Sequence, residues 1–213
     1  MKRGLNLLPN LSLLGLALLV ITHLSWADPV TPDVVVKDAT NQVLDALKSD
    51  QDFPKVQVDK IAEVIEQAAM PHFDLEHMTR IAMGSDWETA TPDQRINVEA
   101  GLQKLFTHTL SSALSHYDGQ ALTYLPLHMK PDDTVAEVTV RVQMAPNDYD
   151  TVDYSMEKTD DGWKIYDLTY EGVSMAKNYH SQFSSLIKQV GVNGLIQTLE
   201  QKNNVASAAK NKN

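Results

Sequence analysis

From residue 138 to residue 170 the hydrophobic period is two and the turns are very short, which restricts the fold more than any other feature. Val138, Val140, Val142 and Met144 alternate with Thr139, Arg141 and Gln143, as in a strand with one buried and one solvated face. Pro146-Asn147-Asp148 turns the chain into a second strand over Thr151 to Glu157, with Val152, Tyr154 and Met156 on one face. Asp160-Asp161-Gly162 turns it again, into Trp163 to Tyr170. Connections this short demand antiparallel neighbours, because a parallel crossover needs a dozen residues or more. Ala121 to Leu127 adds a fourth strand, interrupted by Pro126 near its end.

On either side the period becomes helical. Pro32 to Lys48 carries Val36, Val43, Leu44 and Leu47; Val58, Ile61, Ala62, Ile65 and Ala69 follow at helical spacing until Pro71. A third, shorter helix starts at Asp74, buries Leu75, Met78, Ile81 and Ala82, and closes at Gly84. Thr91-Pro92-Asp93-Gln94 is the strongest start signal, with Thr91 as cap, Pro92 in the first turn and Gln94 reaching back. From it Ile96, Leu102, Leu105, Phe106, Leu110, Ala113 and Tyr117 mark a long helix ending at Asp118-Gly119. A last helix follows Ser174, presents Met175, Tyr179, Phe183, Leu186, Ile187 and Val190 on one face, and stops at Gly191. Leu195 to Leu199 forms a short helix before a polar tail, 202–213, expected to be disordered. With no internal repeat or linker, the layout is one α+β domain: a curved antiparallel sheet of about four strands with helices packed on one face.

The first 27 residues read as a leader. Met1-Lys2-Arg3 is positive, Leu11 to Ile21 is almost wholly apolar, and Ser25-Trp26-Ala27 supplies the small-residue cleavage pattern. Cleavage after Ala27 predicts an exported chain, in which the absence of Cys leaves stability to the core alone. It also excludes thiolate chemistry and Cys-based zinc sites. With 18 Lys and Arg against 28 Asp and Glu, the chain lacks the clustered cations that bind nucleic acid or an anionic bilayer.

Catalytic motifs are weak. Gly172-Val173-Ser174-Met175-Ala176 approaches the nucleophile elbow G-x-S-x-G, but Ala176 replaces the second glycine and the strands are antiparallel. Ser174 fits better as the cap of the last helix, and its loss should then cost about 1 kcal/mol. His72, Asp74, Glu76 and His77 are the only dense cluster with metal-ligand residue types. Their spacing is not that of H-E-x-x-H, so no metal is expected. What the sequence does supply is apolar and aromatic bulk: Tyr117, Tyr124, Tyr154, Trp163, Tyr166 and Tyr170 among Met78, Met83, Met144, Met156 and Met175. A filled core and a lined cavity use the same residues, and composition does not separate them.

Five segments in register carry a resemblance: Ala90-Thr91-Pro92-Asp93-Gln94-Arg95, Tyr117-Asp118-Gly119-Gln120, Trp163-Lys164-Ile165-Tyr166-Asp167, Glu171-Gly172-Val173-Ser174-Met175 and Gly191-Val192-Asn193-Gly194-Leu195. Together they resemble the MlaC family of periplasmic phospholipid-binding components of the Mla lipid-asymmetry transport system. His180 stands where many relatives have Arg, and Met83-Gly84 replaces a commoner Leu-Gly. The resemblance spans nearly all of 28–201 and implies a nuclear-transport-factor-like fold enclosing an apolar pocket for acyl chains. It implies a non-enzymatic periplasmic carrier, with no cofactor beyond the phospholipid cargo. The implied partners are an outer-membrane lipoprotein and porin complex and an inner-membrane ABC transporter.

Candidates for the pocket wall come from the apolar faces described above. On the helices they are Met78, Ile81, Leu105, Leu110, Tyr179 and Phe183; on the strands, Val138, Val140, Val142, Tyr154 and Tyr166. Val173 and Met175 join them at the strand-to-helix junction, where side chains can project into a mouth. An exported hydrolase using Ser174 and a non-catalytic adaptor are the alternatives from the residues alone.

Overall fold

The computed structural model describes residues 30–209 except Pro54, with side chains through Asn204. The leader and its cleavage site lie outside the described residues. Helices α1 (Pro32–Lys48), α2 (Val58–Ala68), α3 (Leu75–Met83), α4 (Asp86–Thr89) and α5 (Pro92–Leu114) precede the sheet. Strands β1 (Leu122–Tyr124), β2 (Val135–Ala145), β3 (Asp148–Thr159), β4 (Gly162–Tyr170) and β5 (Val173–Ser174) form it, and α6 (Met175–Ala209) closes the chain. The fold is α+β, and the sheet is an antiparallel meander in the order β1-β2-β3-β4-β5. A fifth strand thus joins the four expected, because the two residues before α6 pair back on β4. No described helix is long and apolar enough to cross a membrane.

Local chemistry sets the element ends. Thr91 and Gln94 make a reciprocal capping box at α5, and Asp74 accepts the His77 N–H at the start of α3. Gly84 ends α3 at φ 58°, ψ −133°, a conformation open to glycine. At Gly191, φ 72° breaks α6 into two arms. The second arm continues to Ala209, past Lys202 where the sequence reads as a polar tail. There Leu199 is buried and Asn203 Nδ2 donates to the Gly101 carbonyl at 3.1 Å, so contacts with α5 hold a segment whose own composition does not.

One core joins the layers. α6 packs chiefly on α3 and α5, α2 on α5, and α1 lies against β2 and β4. Four apolar positions read from the sequence as buried face solvent instead: Ile96, Ala113, Met144 and Val190. Val98 takes the buried place on α5, and a register shift between Gln143 and Ala145 precedes the exposed hairpin tip where Met144 lies. Val190 lies beside the α6 break and packs on Gly194 rather than on the core.

Candidate functional site

The sheet register defines an inward face with a closed end and an open one. At the closed end Ala136 pairs with Met156 and Met156 with Ile165; Met156 and Ile165 are fully buried. Phe73 bridges to Ile165 and meets Phe106 edge-on, with ring centroids 5.2 Å apart, so aromatic rings plug this end. Toward the hairpin at Asn147 the same face opens. One row of directly paired residues crosses all five strands: Tyr124, Val140, Val152, Tyr170 and Val173. The next row is Leu122, Val142 and Asp150.

Burial falls along these rows. Val138 and Val140 are buried, while Leu122, Tyr124, Val142, Val152 and Tyr154 share their face and are half-buried. On the helical side Leu110 and Leu114, in the last turns of α5, are likewise half-buried. Inward-facing aliphatic side chains in a filled core are sealed. Here the apolar face is only partly covered toward the hairpin end. Its rim carries Tyr170, whose hydroxyl donates to the Asp150 carboxylate, and Val173, 57% exposed. The hydrogen bond that the Tyr170 phenol donates to Asp150 pushes its pKa up to about 12, since ionisation would forfeit that bond and also place two negative charges together.

Three hydroxyls interrupt the lining just inside this rim. Tyr124 on β1 pairs with Val140, and Tyr154 on β3 pairs with Val138, so the two phenols flank adjacent inward positions of β2. Thr40 on α1 faces both and opposes the rise in their pKa that burial causes. Burial takes Tyr154 to about 12 and moves Tyr124 in the same direction, helped by nearby Tyr117. The Tyr124 hydroxyl is buried, and although Thr40 lies near it no hydrogen bond of normal geometry satisfies it.

The predicted wall residues divide between two regions. Val138, Val140, Val142 and Tyr154 lie on the inward sheet face. Met78, Tyr179 and Phe183 are buried where α3, α5 and α6 meet, with Ile81, Leu105, Leu110 and Met175 half-buried against the same core. The Tyr179 hydroxyl sits 3.3 Å from Thr109 on α5, tying α6 to that helix. Tyr166 stacks on His77, with ring centroids 4.4 Å apart, and is engaged there. Val173 is on the exposed edge strand. Sequence reasoning missed Thr40, Leu122, Tyr124 and Val152 as lining. Thr40 had a readable signal, lying four residues from both Val36 and Leu44 on one helix face.

The motifs weighed for chemistry have structural uses. Ser174 Oγ donates to the buried Asp167 carboxylate and accepts the Lys177 N–H at 3.1 Å. Asp167 also accepts the Ala176 N–H at 2.9 Å. Ser174 and Asp167 therefore cap α6, and among the described residues no histidine hydrogen-bonds Ser174. No three His, Cys, Asp or Glu side chains among the described residues are grouped to hold a metal ion. His77 Nδ1 lies 2.5 Å from Glu157 Oε1, and Glu76 pairs with Arg80 at 3.0 Å. These groups border a polar cleft of about 220 Å³; an apolar one of about 310 Å³ opens in the bend of α6 against Phe183, Leu186, Leu195 and Leu199.

Comparison with known proteins turns this geometry into a family assignment. The family model described as MlaC protein matches residues 37–201. The chain belongs to the MlaC family. Relatives include the toluene tolerance protein ttg2D of Pseudomonas putida, 24% identical over 80% of this chain and 79% of that protein. The intermembrane phospholipid transport system binding protein MlaC of Haemophilus influenzae is 19% identical over 85% of this chain and 86% of its own length. Among solved structures, the phospholipid-binding protein of Ralstonia solanacearum, in complex with a phospholipid, superposes with a TM-score of 0.76. It is 32% identical, covering 84% of this chain and 99% of that one.

Proposed function

We propose that this MlaC-family chain is a periplasmic phospholipid carrier, exported and cleaved after Ala27, that holds acyl chains between its sheet and helices. One observation carries the reading: the inward apolar face at Leu122, Tyr124, Val142 and Val152 is lined for burial and only partly covered toward the hairpin end. The phospholipid held by the Ralstonia relative supports it. Each methylene withdrawn from water is worth about 0.8 kcal/mol, so two long chains total well over ten. A free lipid therefore does not cross an aqueous gap. Exchange between a bilayer and an apolar pocket nearly cancels that term, and modest driving forces from partners suffice to load and unload the carrier. An outer-membrane lipoprotein and porin complex at one end and an inner-membrane ABC transporter at the other fit that role.

Solvent extraction of the purified exported chain, followed by mass spectrometry, tests the proposal. Intact phospholipid near one molecule per chain is expected. Lipid-free protein, unable to take lipid from vesicles, would overturn the reading, and so would recovery of lysolipid and free fatty acid produced in step with protein concentration.

A further inference from the structure

Tyr124 and Tyr154 present phenol groups to an interior that is otherwise aliphatic. On β2 the positions beside them are Val138 and Val140, both buried, and on α1 Thr40 sits one turn from buried Val36 and one turn from buried Leu44. Both phenols have pKa values raised above the ordinary tyrosine range, so at neutral pH both are protonated donors. The Tyr124 hydroxyl is buried with only the Thr40 side chain near it and no hydrogen bond of normal geometry, an under-satisfied arrangement that a group from outside the chain would relieve. Thr107 Oγ1 is the other buried under-satisfied group among the described residues, but it lies within α5. Rotation about χ1 there lets a threonine bond to its own helix backbone, whereas a phenol at the end of a rigid ring lacks that escape.

The ligand that complements this trio offers acceptor oxygens, carries no charge at that point, and continues as hydrocarbon. Among the described residues no cationic side chain contributes to the pKa shift of either phenol, which disfavours a phosphate or a free carboxylate there. We propose that the Thr40, Tyr124 and Tyr154 hydroxyls bind the ester carbonyl oxygens of a diacyl glycerophospholipid. The inference rests on the carrier reading and deepens it. The row Leu122, Val142 and Asp150 lies between the trio and the hairpin end, so the glycerol backbone sits just inside the rim. The head group then remains at the rim in solvent, and selectivity acts on the ester linkage rather than on the head.

Competition between a diester phosphatidylethanolamine and its dialkyl ether analogue, with the same chains and head, tests this. Mature protein stripped of lipid is incubated with vesicles holding equal amounts of both, and the bound lipid is measured by mass spectrometry. A preference for the diester of about fivefold to tenfold is expected, the discrimination that one or two neutral hydrogen bonds provide. Tyr124→Phe with Tyr154→Phe keeps the ring packing and should bind both lipids with the preference lost. In the lipid-free state Tyr124→Phe should melt no lower than the parent, since it removes an under-satisfied donor. Equal uptake of the two lipids by the parent chain would overturn the ester site and leave the carrier reading intact. A preference surviving in the double variant would likewise overturn it, and uptake of neither lipid would sink both.

Discussion

Replacing Ser174 by alanine separates a structural cap from a nucleophile, and the geometry makes the two readings quantitatively distinct. A capping role alone predicts a loss of about 1 kcal/mol. The structure adds a second term: Ser174 Oγ also donates to Asp167, whose residue is only 7% exposed. Deleting that donor leaves the carboxylate with the Ala176 N–H at 2.9 Å. A hydrogen bond to a charged group is worth about 1.5–3 kcal/mol. The two terms share one hydroxyl and do not fully add, so Ser174→Ala is expected to destabilise by about 2–3 kcal/mol. For a domain of this size that lowers Tm by roughly 5–10 °C. Urea and thermal melts give the loss, and extraction below the transition gives the lipid bound by the folded fraction, expected to match the parent. A loss under 1 kcal/mol would show that the bond to Asp167 contributes nothing in solution. Unchanged stability with lipid handling abolished would refute the capping account altogether and restore a chemical role for the hydroxyl.

Val140→Glu places a carboxylate at a position 2% exposed between Tyr124 and Val152, and should cost more than about 4 kcal/mol or prevent folding. Val173→Glu, on the exposed edge, should change stability by no more than about 0.5 kcal/mol, yet lower the lipid recovered per folded chain by charging the rim. Paired melts and lipid assays check both, and full occupancy in the Val173 variant would remove that residue from the rim. Gly84→Ala must hold a Cβ at φ 58° and only 2.5 Å from His180 Cε1, and a loss of about 2 kcal/mol is expected. Adding His180→Ala should relieve the clash and leave the backbone strain, so full rescue in chemical denaturation would show that the strain is negligible. In ultraviolet titration Tyr170 should ionise near 12, and Asp150→Asn should return it toward 10. Because the unfolded phenol ionises first, this group's contribution is complete below pH 10 and is lost as pH rises toward 12. An unchanged titration in the variant would mean that Asp150 does not set the shift.

Much of the fold was legible because short-range physics specifies it. The period of two from Val138 to Val142 and the short turns after Ala145 and Thr159 forced an antiparallel meander, and Thr91 with Gln94 announced the start of α5. Asp74 and Gly84 likewise bounded α3 correctly, since caps and left-handed stops depend on neighbours a few residues away. The candidate site was legible only in part. Val138, Val140, Val142 and Tyr154 share the inward face, as strand alternation requires. Thr40 and Tyr124 were invisible as partners, because 84 residues separate them and only the packing of α1 across the sheet brings their hydroxyls together.

By itself, then, the sequence determined which elements form, where they begin, and which side of each is apolar, all consequences of dihedral preference and hydrophobic period. Tertiary structure decided what those faces meet. It closed one end of the sheet with Phe73 and Phe106, left the other end only partly covered, and extended α6 through a polar stretch that Leu199 and Asn203 anchor to α5. It also joined Ser174 to Asp167, seven residues away across the β4–β5 turn, making one cap out of what sequence showed as a lone serine. The physical reason is that burial and hydrogen-bond satisfaction belong to pairs of surfaces, and a single chain segment specifies only one surface of each pair.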